Sequence, residues 1–382
     1  MNEAVCAIIQ FVVQDNILSL SEIDFETKLK EDVINILHIQ FEDFNYDLEK
    51  EYEMAYDTYF KSYPKRCSGN TFLTPVNTSD ITKKLHILEN IYQPEQKSDE
   101  WYLFRQNFIT ASNAWKAFGS QSQQNQLIYE KCLPINVDKY KPNLSDTPMA
   151  WGIKYEDVSI IIYEDKYKTH VKDYGCIPHQ TYGFIAASPD GINDTIDSTR
   201  YGRMLEIKNI VNRKIDGNPK YEYWIQMQLQ MEVCDLDECD FLETQFIEYD
   251  GLNDYISDGT FTHSIDGKQK GIMLYFVKNG GPHYVYAPLN ISEEEFEKWS
   301  EVMIDENQDK QWIANIYWKL EVYSCVLVLR NKDWFNRAVD ILKKLWDTVL
   351  NDRKDGYAHR APKKQIKNKK STKEGCIIKL DV

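Results

Sequence analysis

The chain has 382 residues, more than an average domain contains, and its 42% apolar and 27% charged residues are typical of soluble globular proteins. Its formal net charge of −15 excludes a uniformly basic surface, although a local basic patch remains compatible with nucleic-acid binding. No targeting segment is evident and no apolar run approaches the roughly 20 residues of a membrane span, so we expect a soluble intracellular protein without a membrane partner.

The first 97 residues are predicted to form a helical N-terminal region. Apolar residues recur there at three- and four-residue spacing between Leu18 and Leu37, among many acids. Residues 62–79 contain glycine and proline and are predicted to be a connector. Because this region holds no catalytic constellation, a structural or interaction role is expected.

Residues 98–305 mix helical and strand patterns and are predicted to form an α/β core, with a mixed sheet flanked by helices. Predicted helices cover residues 99–118, 148–167 and 221–234, with a last helix after Ser292. Predicted strands cover residues 174–177, 184–187, 204–207, 241–248, 272–277 and 283–287.

The C-terminal part is predicted to contain a helical region at residues 306–352 and a flexible basic tail at residues 353–382. Between residues 353 and 374, nine Lys or Arg stand against two acids. The tail would hold DNA, bind an acidic partner or act as a nuclear localisation signal, and we favour attachment to DNA.

A turn and a strand in the middle of the chain carry residues typical of phosphodiester chemistry. Pro189 and Gly191 define a turn that places Asp190 at a strand end. Fourteen residues, of a polar and hairpin-like character, separate this turn from Glu206-Ile207-Lys208. Because side chains alternate along a strand, Glu206 and Lys208 point the same way, and the hairpin brings Asp190 to both.

This grouping suits metal-assisted hydrolysis. Asp190 and Glu206 would hold Mg²⁺, with waters and phosphate oxygens completing the coordination shell. The backbone carbonyl of Ile207 is a further candidate ligand, and Lys208 would stabilise negative charge or orient the attacking water. The eight cysteines form no CxxC pair, so we expect free thiols rather than a zinc or iron–sulfur site.

Three further motifs accompany this pattern. The stretch at residues 150–156 opens a helix that carries an acid, Glu156, one turn inside. Arg105 is followed seven residues later by Ser112. Gln226 lies on an otherwise apolar helix, together with Gln228 and Gln230, which we expect to be supporting or solvent-facing.

In this order, the motifs resemble the lambda-exonuclease/YqaJ-type viral recombinase family of the PD-(D/E)xK nuclease superfamily, over residues 98–305. The resemblance implies a restriction-endonuclease-like core with helical additions at both ends. It implies that Asp190 and Glu206 bind metal and that Lys208 is the catalytic lysine. It also implies that Glu156 reaches a second metal ion or its waters, and that Gln226 contacts the reacting region.

The resemblance further implies a grip on DNA. Arg105 and Ser112 match a pair that holds a phosphate at the 5′ end of a strand, for which a guanidinium is well suited. The loop at residues 212–221 brings positive charge and aromatic rings next to the site. Lys214 and Lys220 are therefore candidate DNA-binding residues, with an ordinary solvated loop as the alternative.

Two departures from the family stand out. Asn209-Ile210 follows the lysine where the family often has Cys-Pro, which leaves the metal site intact but alters the loop entering the DNA channel. The long terminal regions are absent from the compact phage enzymes. They put the family's ring-shaped trimer in doubt, so the oligomeric state stays open, with a homo-oligomer as one option.

Together, the residues and the resemblance predict a Mg²⁺-dependent DNA exonuclease acting 5′ to 3′ on duplex ends, in viral DNA recombination, repair or replication. Two ions are expected, and Mn²⁺ is expected to substitute for Mg²⁺. Double-stranded DNA ends and a single-strand annealing protein are the expected partners, in the cytoplasm or nucleus of a host cell if the protein is viral. The alternatives are a structure-directed endonuclease or nickase using the same site, and a non-catalytic DNA-binding recombination scaffold.

Overall fold

The computed structural model describes residues 1–40, 47–67, 77–136 and 147–362. The basic tail predicted for residues 353–382 therefore lies mostly outside the described residues. Its described beginning completes the last helix and adds a short 3₁₀ helix at Ala358–Arg360. In these ranges, no helix combines the length and apolar composition that a membrane crossing needs.

Helices occupy the described part of residues 1–97. They are α1 (Asn2–Asp15), a 3₁₀ helix (Ile17–Ser21), α2 (Phe25–Gln40), α3 (Leu48–Tyr59) and α4 (Thr78–Asn90). Their buried residues, among them Val13, Leu20 and Leu29, share one hydrophobic core with the middle and the end of the chain. The N-terminal helices therefore complete the central core. Residues 68–76 of the predicted connector lie outside the described part.

Within the described ranges, ten strands form two sheets. The small sheet has the order β1 (Ile109–Thr110), β4 (Ile185–Ala187), β3 (Ile177–Pro178). The large sheet has the order β2 (Val171–Lys172), β5 (Gly191–Asn193), β6 (Met204–Asn209), β7 (Glu238–Glu248), β10 (Gln311–Leu329), β8 (Lys270–Lys278), β9 (Gly281–Tyr286). In the large sheet β6 and β7 run parallel and the other neighbours antiparallel, so the sheet is mixed.

Eight further α-helices in the part of the chain that the structure describes flank these sheets. They are α5 (Asp99–Arg105), α6 (Ala111–Ala114), α7 (Gln121–Cys132), α8 (Pro148–Tyr167), α9 (Tyr221–Cys234), α10 (Leu252–Ser257), α11 (Glu293–Glu306) and α12 (Lys332–Asp355). The predicted fold class, a mixed sheet flanked by helices, is confirmed. The single helix predicted for residues 99–118 is instead broken by β1, which pairs in parallel with β4.

The prediction of a helical region at residues 306–352 is wrong for residues 311–329. These residues form β10, a 19-residue strand between β7 and β8. The α/β core therefore extends past residue 305, because this strand joins the two halves of its sheet. The segment is rich in β-branched and aromatic residues, a composition that favours strands over helices. The remainder of the region does form a helix, α12.

Helix α9 lies at the centre of the molecule. Ten of its 14 residues are buried, including Trp224 and three glutamines. The Trp224 ring packs edge-on against Trp334 of α12, at 5.2 Å between centroids, and its Nε1 atom donates a 2.8 Å hydrogen bond to the carbonyl of Arg66. Because α9 is covered on every side, polar groups on it need specific partners inside the protein.

Candidate active site

Asp190 and Glu206 lie side by side where β5 and β6 meet. These strands pair antiparallel with Gly191 opposite Leu205, so the next residue on each strand, Asp190 and Glu206, also face each other. The Oδ2 atom of Asp190 accepts a 2.7 Å hydrogen bond from the backbone nitrogen of Ile207. The hairpin expected from the spacing is present, and it fixes the turn against the strand.

Lys208 lies on the same face of β6 as Glu206, because side chains alternate along a strand. Its Nζ atom forms an ion pair with the Oε1 atom of Glu206, whose side chain is fully buried. Burial by itself would lower the pKa of Lys208, but the carboxylates of Glu206 and Asp190 outweigh it and raise that pKa. Lys208 is therefore held as a cation beside both acids.

Asp190 is the acid of this group whose ionised form is disfavoured by its surroundings. Burial raises the pKa of Asp190 well above its usual range, and the charge of Glu206 raises it further. Lys208 and the hydrogen bond from Ile207 oppose this rise without cancelling it. Two carboxylates beside one lysine leave an excess of negative charge, which a bound divalent cation would neutralise.

Glu156, on α8, approaches the same place from another element. It lines a groove of about 560 Å³ together with Ile207, Lys208 and Arg213. It also lines a cavity of about 360 Å³ that Asp190 shares. Burial raises the pKa of Glu156, and the ammonium of Lys97, 3.1 Å from its Oε1 atom, opposes that rise. Glu156 therefore lies between the two openings around β6.

The oxygen donors beside β6 suit a hard divalent cation. In a strand, the N–H and C=O groups of one residue point towards the same neighbouring strand. Because the N–H group of Ile207 points to Asp190, just beyond the end of β5, the carbonyl of Ile207 points to that side as well. With Asp190 and Glu206, it offers the type of ligands that Mg²⁺ takes alongside waters and phosphate. In the described ranges, no group of three or more His, Cys, Asp or Glu side chains is close enough to hold a metal ion. Glu156 is thus not a third ligand in this geometry, and its role at a metal stays a prediction.

The glutamine that contacts the carboxylates is Gln230. Its Nε2 atom donates a hydrogen bond of 2.7 Å to the Oε2 atom of Glu206 and another of 3.3 Å to the carbonyl of Ser188. Gln228 instead holds the chain after β10, through the carbonyl of Leu329. Gln226 is buried, at 8% exposure, and its contact with the reacting region remains a prediction. Of the two roles expected for Gln228 and Gln230, the supporting one fits, because both side chains are buried and hydrogen-bonded, and the solvent-facing one is wrong.

Arg105 and Ser112 come together at the end of α5. The Nη2 atom of Arg105 donates a 2.9 Å hydrogen bond to the Oγ atom of Ser112, and the guanidinium lies 3.9 Å from the centroid of the Trp101 ring. The Nε1 atom of Trp101 donates a 3.2 Å hydrogen bond to Ser188, in the turn before Asp190. The arginine and the acid turn are therefore linked through one tryptophan.

The loop at residues 212–220 borders the groove, but only some of its cationic side chains line it. Arg213 lines the groove and forms an ion pair with Glu243, which is fully buried on β7. Lys214 is exposed and Lys220 precedes α9, and neither is among the described residues that line the groove. Of the cations on this loop, Arg213 is the one next to the site.

Sequence reasoning missed Lys97, Gln230 and Arg213 as residues of this site. Arg213 was visible as a charge in the loop, but nothing in the sequence separated it from Lys214. Gln230 was visible as a polar residue on an apolar helix, which is itself a signal that a buried partner exists. Lys97 precedes the predicted helix start at Ser98, and no sequence pattern connects it to Glu156.

Residues 100–237 match the family model described as the YqaJ-like viral recombinase domain. This part of the chain is similar to that domain. The match runs from α5 through α9 and includes Arg105, Glu156, Asp190, Glu206 and Lys208. The N-terminal helices and β7 to β10 lie outside it. The matched region therefore contains the assembled acids, whereas part of the sheet that supports them comes from elsewhere in the chain.

The chain is also similar to individual proteins. It is 31% identical over 329 residues to the uncharacterized protein R354 of Acanthamoeba polyphaga mimivirus, an alignment that covers 75% of this chain and 57% of that protein. The chain therefore spans a little over half the length of this relative.

Among solved structures, the alkaline exonuclease LHK-Exo from Laribacter hongkongensis matches with a TM-score of 0.39 and 17% identity, over 67% of this chain and 94% of LHK-Exo. The structure of LHK-Exo in complex with dAMP matches with the same TM-score and 16% identity. At these values the overlap is too low to establish a shared fold.

Proposed function

We propose that this protein is a metal-dependent deoxyribonuclease that hydrolyses phosphodiesters at the ends of duplex DNA. One observation carries the proposal: Asp190, Glu206 and Lys208 converge at one point beside an open groove. Two acids and a lysine beside a groove supply the groups that metal-assisted hydrolysis of a phosphodiester needs. The assignment of residues 100–237 to a viral recombinase domain supports DNA as the substrate.

Each residue of the site has a part in this chemistry. Asp190, Glu206 and the carbonyl of Ile207 would hold Mg²⁺, or Mn²⁺ in its place, and Glu156 would hold a second ion or its waters. The bound metal polarises the phosphate and lowers the pKa of its water. Lys208 stabilises the negative charge that develops on the phosphate, and Gln226 contacts the reacting region.

Recognition of a DNA end is the finer part of the proposal. Arg105 and Ser112 together provide a guanidinium and a hydroxyl that can grip a terminal 5′ phosphate. The link from Trp101 to Ser188 supports this assignment, because it holds the pair at a constant distance from Asp190. A grip on the 5′ end next to the metal site implies cleavage from 5′ to 3′. Lys214 and Lys220 would contact the backbone farther along the DNA.

The biological setting follows from the family. Resection of duplex ends leaves a 3′ single strand, which is a substrate for recombination, repair or replication of viral DNA. A single-strand annealing protein would be the natural partner for that product, and a homo-oligomer would keep the DNA enclosed. The cytoplasm or nucleus of an infected cell would be the place of action.

The decisive experiment is digestion of end-labelled duplexes that carry either 5′ phosphate or 5′ hydroxyl ends, with and without Mg²⁺. We expect release of nucleotides from the 5′ end only with Mg²⁺, and faster release from phosphorylated ends. Arg105→Ala is expected to remove the preference for the phosphate without abolishing cleavage. Covalently closed circles are the control, and cleavage of circles as fast as of linear DNA would favour a structure-directed endonuclease or nickase.

The Lys208→Ala variant tests the catalytic assignment itself. We expect it to bind duplex DNA as the unchanged protein does and to lose Mg²⁺-dependent cleavage by a factor of about 10² or more. Unchanged cleavage in this variant would show that the site is elsewhere. DNA binding without any cleavage by the unchanged protein would instead favour a non-catalytic recombination scaffold.

A further inference from the structure

Lys97 brings a positive charge to the site from outside the family-matched residues. It lies in the segment between α4 and α5, before the match begins at residue 100. Its Nζ atom is 3.1 Å from the Oε1 atom of Glu156, and its side chain is half-exposed. Its backbone is in the left-handed region, at φ 66°, which is uncommon for a residue with a side chain and persists only where neighbouring contacts hold it.

Two hydrogen bonds and one close backbone contact hold this segment. The Oε1 atom of Gln93 accepts a 2.7 Å hydrogen bond from the backbone nitrogen of Gly175. The Nε2 atom of Gln96 donates a 2.9 Å hydrogen bond to the carbonyl of Pro189, in the turn before Asp190. A Cβ atom on Gly175 would lie 2.1 Å from the carbonyl oxygen of Pro94, so only glycine permits this close approach. Lys97 is therefore fixed relative to the turn that carries the acid.

The surroundings of Lys97 are strongly acidic. Five carboxylates line the adjoining cavity of about 360 Å³: Glu95, Glu156, Asp157, Asp173 and Asp190. Among the described residues that line it, Lys97 is the one cation. Its ammonium is paired with Glu156, the acid that the proposed function assigns to a second metal ion. An ammonium and a divalent cation repel each other at contact distance, so they compete for the same carboxylate oxygen.

We propose that Lys97 is a positioning residue that competes with a divalent cation for Glu156. The chain then holds one ion firmly at Asp190 and Glu206, and a second at Glu156 only when the ammonium moves aside. The half-exposed lysine is free to swing towards solvent or a DNA phosphate when that happens. This inference rests on the proposed function, because it takes the metal site at Asp190 and Glu206 as given.

Titration calorimetry with Mn²⁺ alone, on the full chain without DNA, tests the competition. We expect the unchanged protein to show one tighter and one weaker class of site. Lys97→Met should tighten the weaker class by roughly tenfold, the effect of removing one nearby charge in a partly solvated setting. Lys97→Arg keeps the charge and should bind Mn²⁺ as the unchanged protein does. Lys30→Met, which removes a lysine 2.8 Å from Glu49 in the N-terminal helices, is the matched control and should change nothing.

The outcomes separate this inference from the function on which it rests. If the weaker class keeps its affinity in Lys97→Met, or loses affinity, competition by Lys97 is overturned while the metal site stands. The variant Asp190→Asn tests the metal site itself, and it should abolish binding of Mn²⁺ to the tighter class of site. If Asp190→Asn binds Mn²⁺ like the unchanged protein, the proposed metal site itself fails. A shift of the melting temperature on adding Mn²⁺ gives a second readout of both, since a ligand that binds the folded state stabilises it.

Discussion

The side-chain amide of Gln230 donates a 2.7 Å hydrogen bond to the fully buried carboxylate of Glu206. The same amide reaches the carbonyl of Ser188, so one side chain on α9 fixes both the strand and the turn that carry the acids. A carboxylate held in this way keeps its orientation when a cation or a phosphate arrives. Such supporting residues often matter nearly as much as the ligands they orient.

We therefore expect Gln230→Leu to lower kcat for Mg²⁺-dependent cleavage by about 10- to 100-fold, because Glu206 loses its orienting partner. The matched control is Gln228→Leu on the same helix. Gln228 is equally buried but bonds to the carbonyl of Leu329 and the backbone nitrogen of Asn331, away from the acids. Both variants should lose stability in urea denaturation. Equal loss of kcat in both would mean that Gln230 acts only through the fold.

Asp190→Asn is expected to stabilise the protein in the absence of divalent ions by about 1–2 kcal/mol while removing cleavage. The physical reason is that burial and the charge of Glu206 both disfavour the ionised form of Asp190. Asparagine retains an oxygen that can accept the hydrogen bond from Ile207. Thermal unfolding in EDTA, and then with added Mg²⁺, provides the measurement. In Asp190→Asn, the increase in melting temperature that Mg²⁺ causes in the unchanged protein should disappear. If the variant is less stable than the unchanged protein in EDTA, this account is contradicted.

Lys131 gives the stability of the protein a dependence on pH. Its side chain is 6% exposed, and burial, with the charge of Arg105 as a second cause, lowers its pKa from 10.5 to about 7. Between these two values the unfolded chain binds more protons than the folded one at this residue. The contribution of Lys131 to stability therefore improves as pH rises from about 7 to 10.5, with a slope of at most ~1.4 kcal/mol per pH unit.

The variant Lys131→Met should remove this slope. We expect it to be more stable than the unchanged protein near pH 7 and to lose that advantage towards pH 10, in urea denaturation at several pH values. The substitution also removes the 2.8 Å hydrogen bond from the Nζ atom of Lys131 to the carbonyl of Arg105, which makes the gain in stability near pH 7 smaller. Lys116→Met, which removes the ion pair between Lys116 and Glu130, is the control on the neighbouring surface. If the free energy of unfolding depends on pH in the same way in the unchanged protein and in Lys131→Met, titration of Lys131 does not contribute to stability.

Arg66 ties the N-terminal helices to the loop beside the groove. Its guanidinium is 3% exposed and donates hydrogen bonds to the side chain of Asn218 and to the carbonyls of Pro219 and Ser21. Arg66→Ala leaves these groups buried without partners, at a cost of about 1–3 kcal/mol each. We expect it to loosen the loop at residues 212–220 and to raise KM for DNA more than it lowers kcat.

Limited trypsin digestion provides the readout for the loop. Cleavage after Arg213 or Lys214 should be faster in Arg66→Ala than in the unchanged protein. Lys65→Ala is the neighbouring control, since Lys65 pairs with Asp57 and packs over Tyr56 within the N-terminal region. If both variants are cleaved at the unchanged rate, the loop does not depend on Arg66.

The parts of the site that follow from local spacing could be predicted from the sequence. The turn at Asp190 and the strand at Glu206 and Lys208 are neighbours in the chain, so turn chemistry and strand alternation were sufficient. Gln230 reaches Glu206 and Lys97 reaches Glu156 through tertiary contacts that span 24 and 59 residues, and periodicity contains no information on such contacts. The contact between Arg105 and Ser112 was predictable only by resemblance. The two residues lie on different helices, because β1 interrupts the single helix that was predicted for residues 99–118.

The error at residues 311–329 has a specific origin. The strand lies between two others, but most of its residues are only partly buried, so its polar and apolar residues do not alternate cleanly. Its many aromatic residues fit a helix face equally well. Its length, 19 residues, is also far beyond an average strand. The β-branched residues from Val322 to Val328 were the available signal, and the helical pattern of the following α12 concealed it.

The shared core has a consequence for where the molecule can be cut. The family match ends at residue 237, just before β7, which follows α9 and pairs along its whole length with β10. Helix α9, inside the match, packs against both the helices before the match and α12 after it. A fragment trimmed to residues 100–237 would expose Trp224 and leave Gln228 without its partners. The region that matches the family model is therefore smaller than the unit that folds, and the flanking segments are obligatory scaffolding for Asp190, Glu206 and Lys208, which they do not themselves contain.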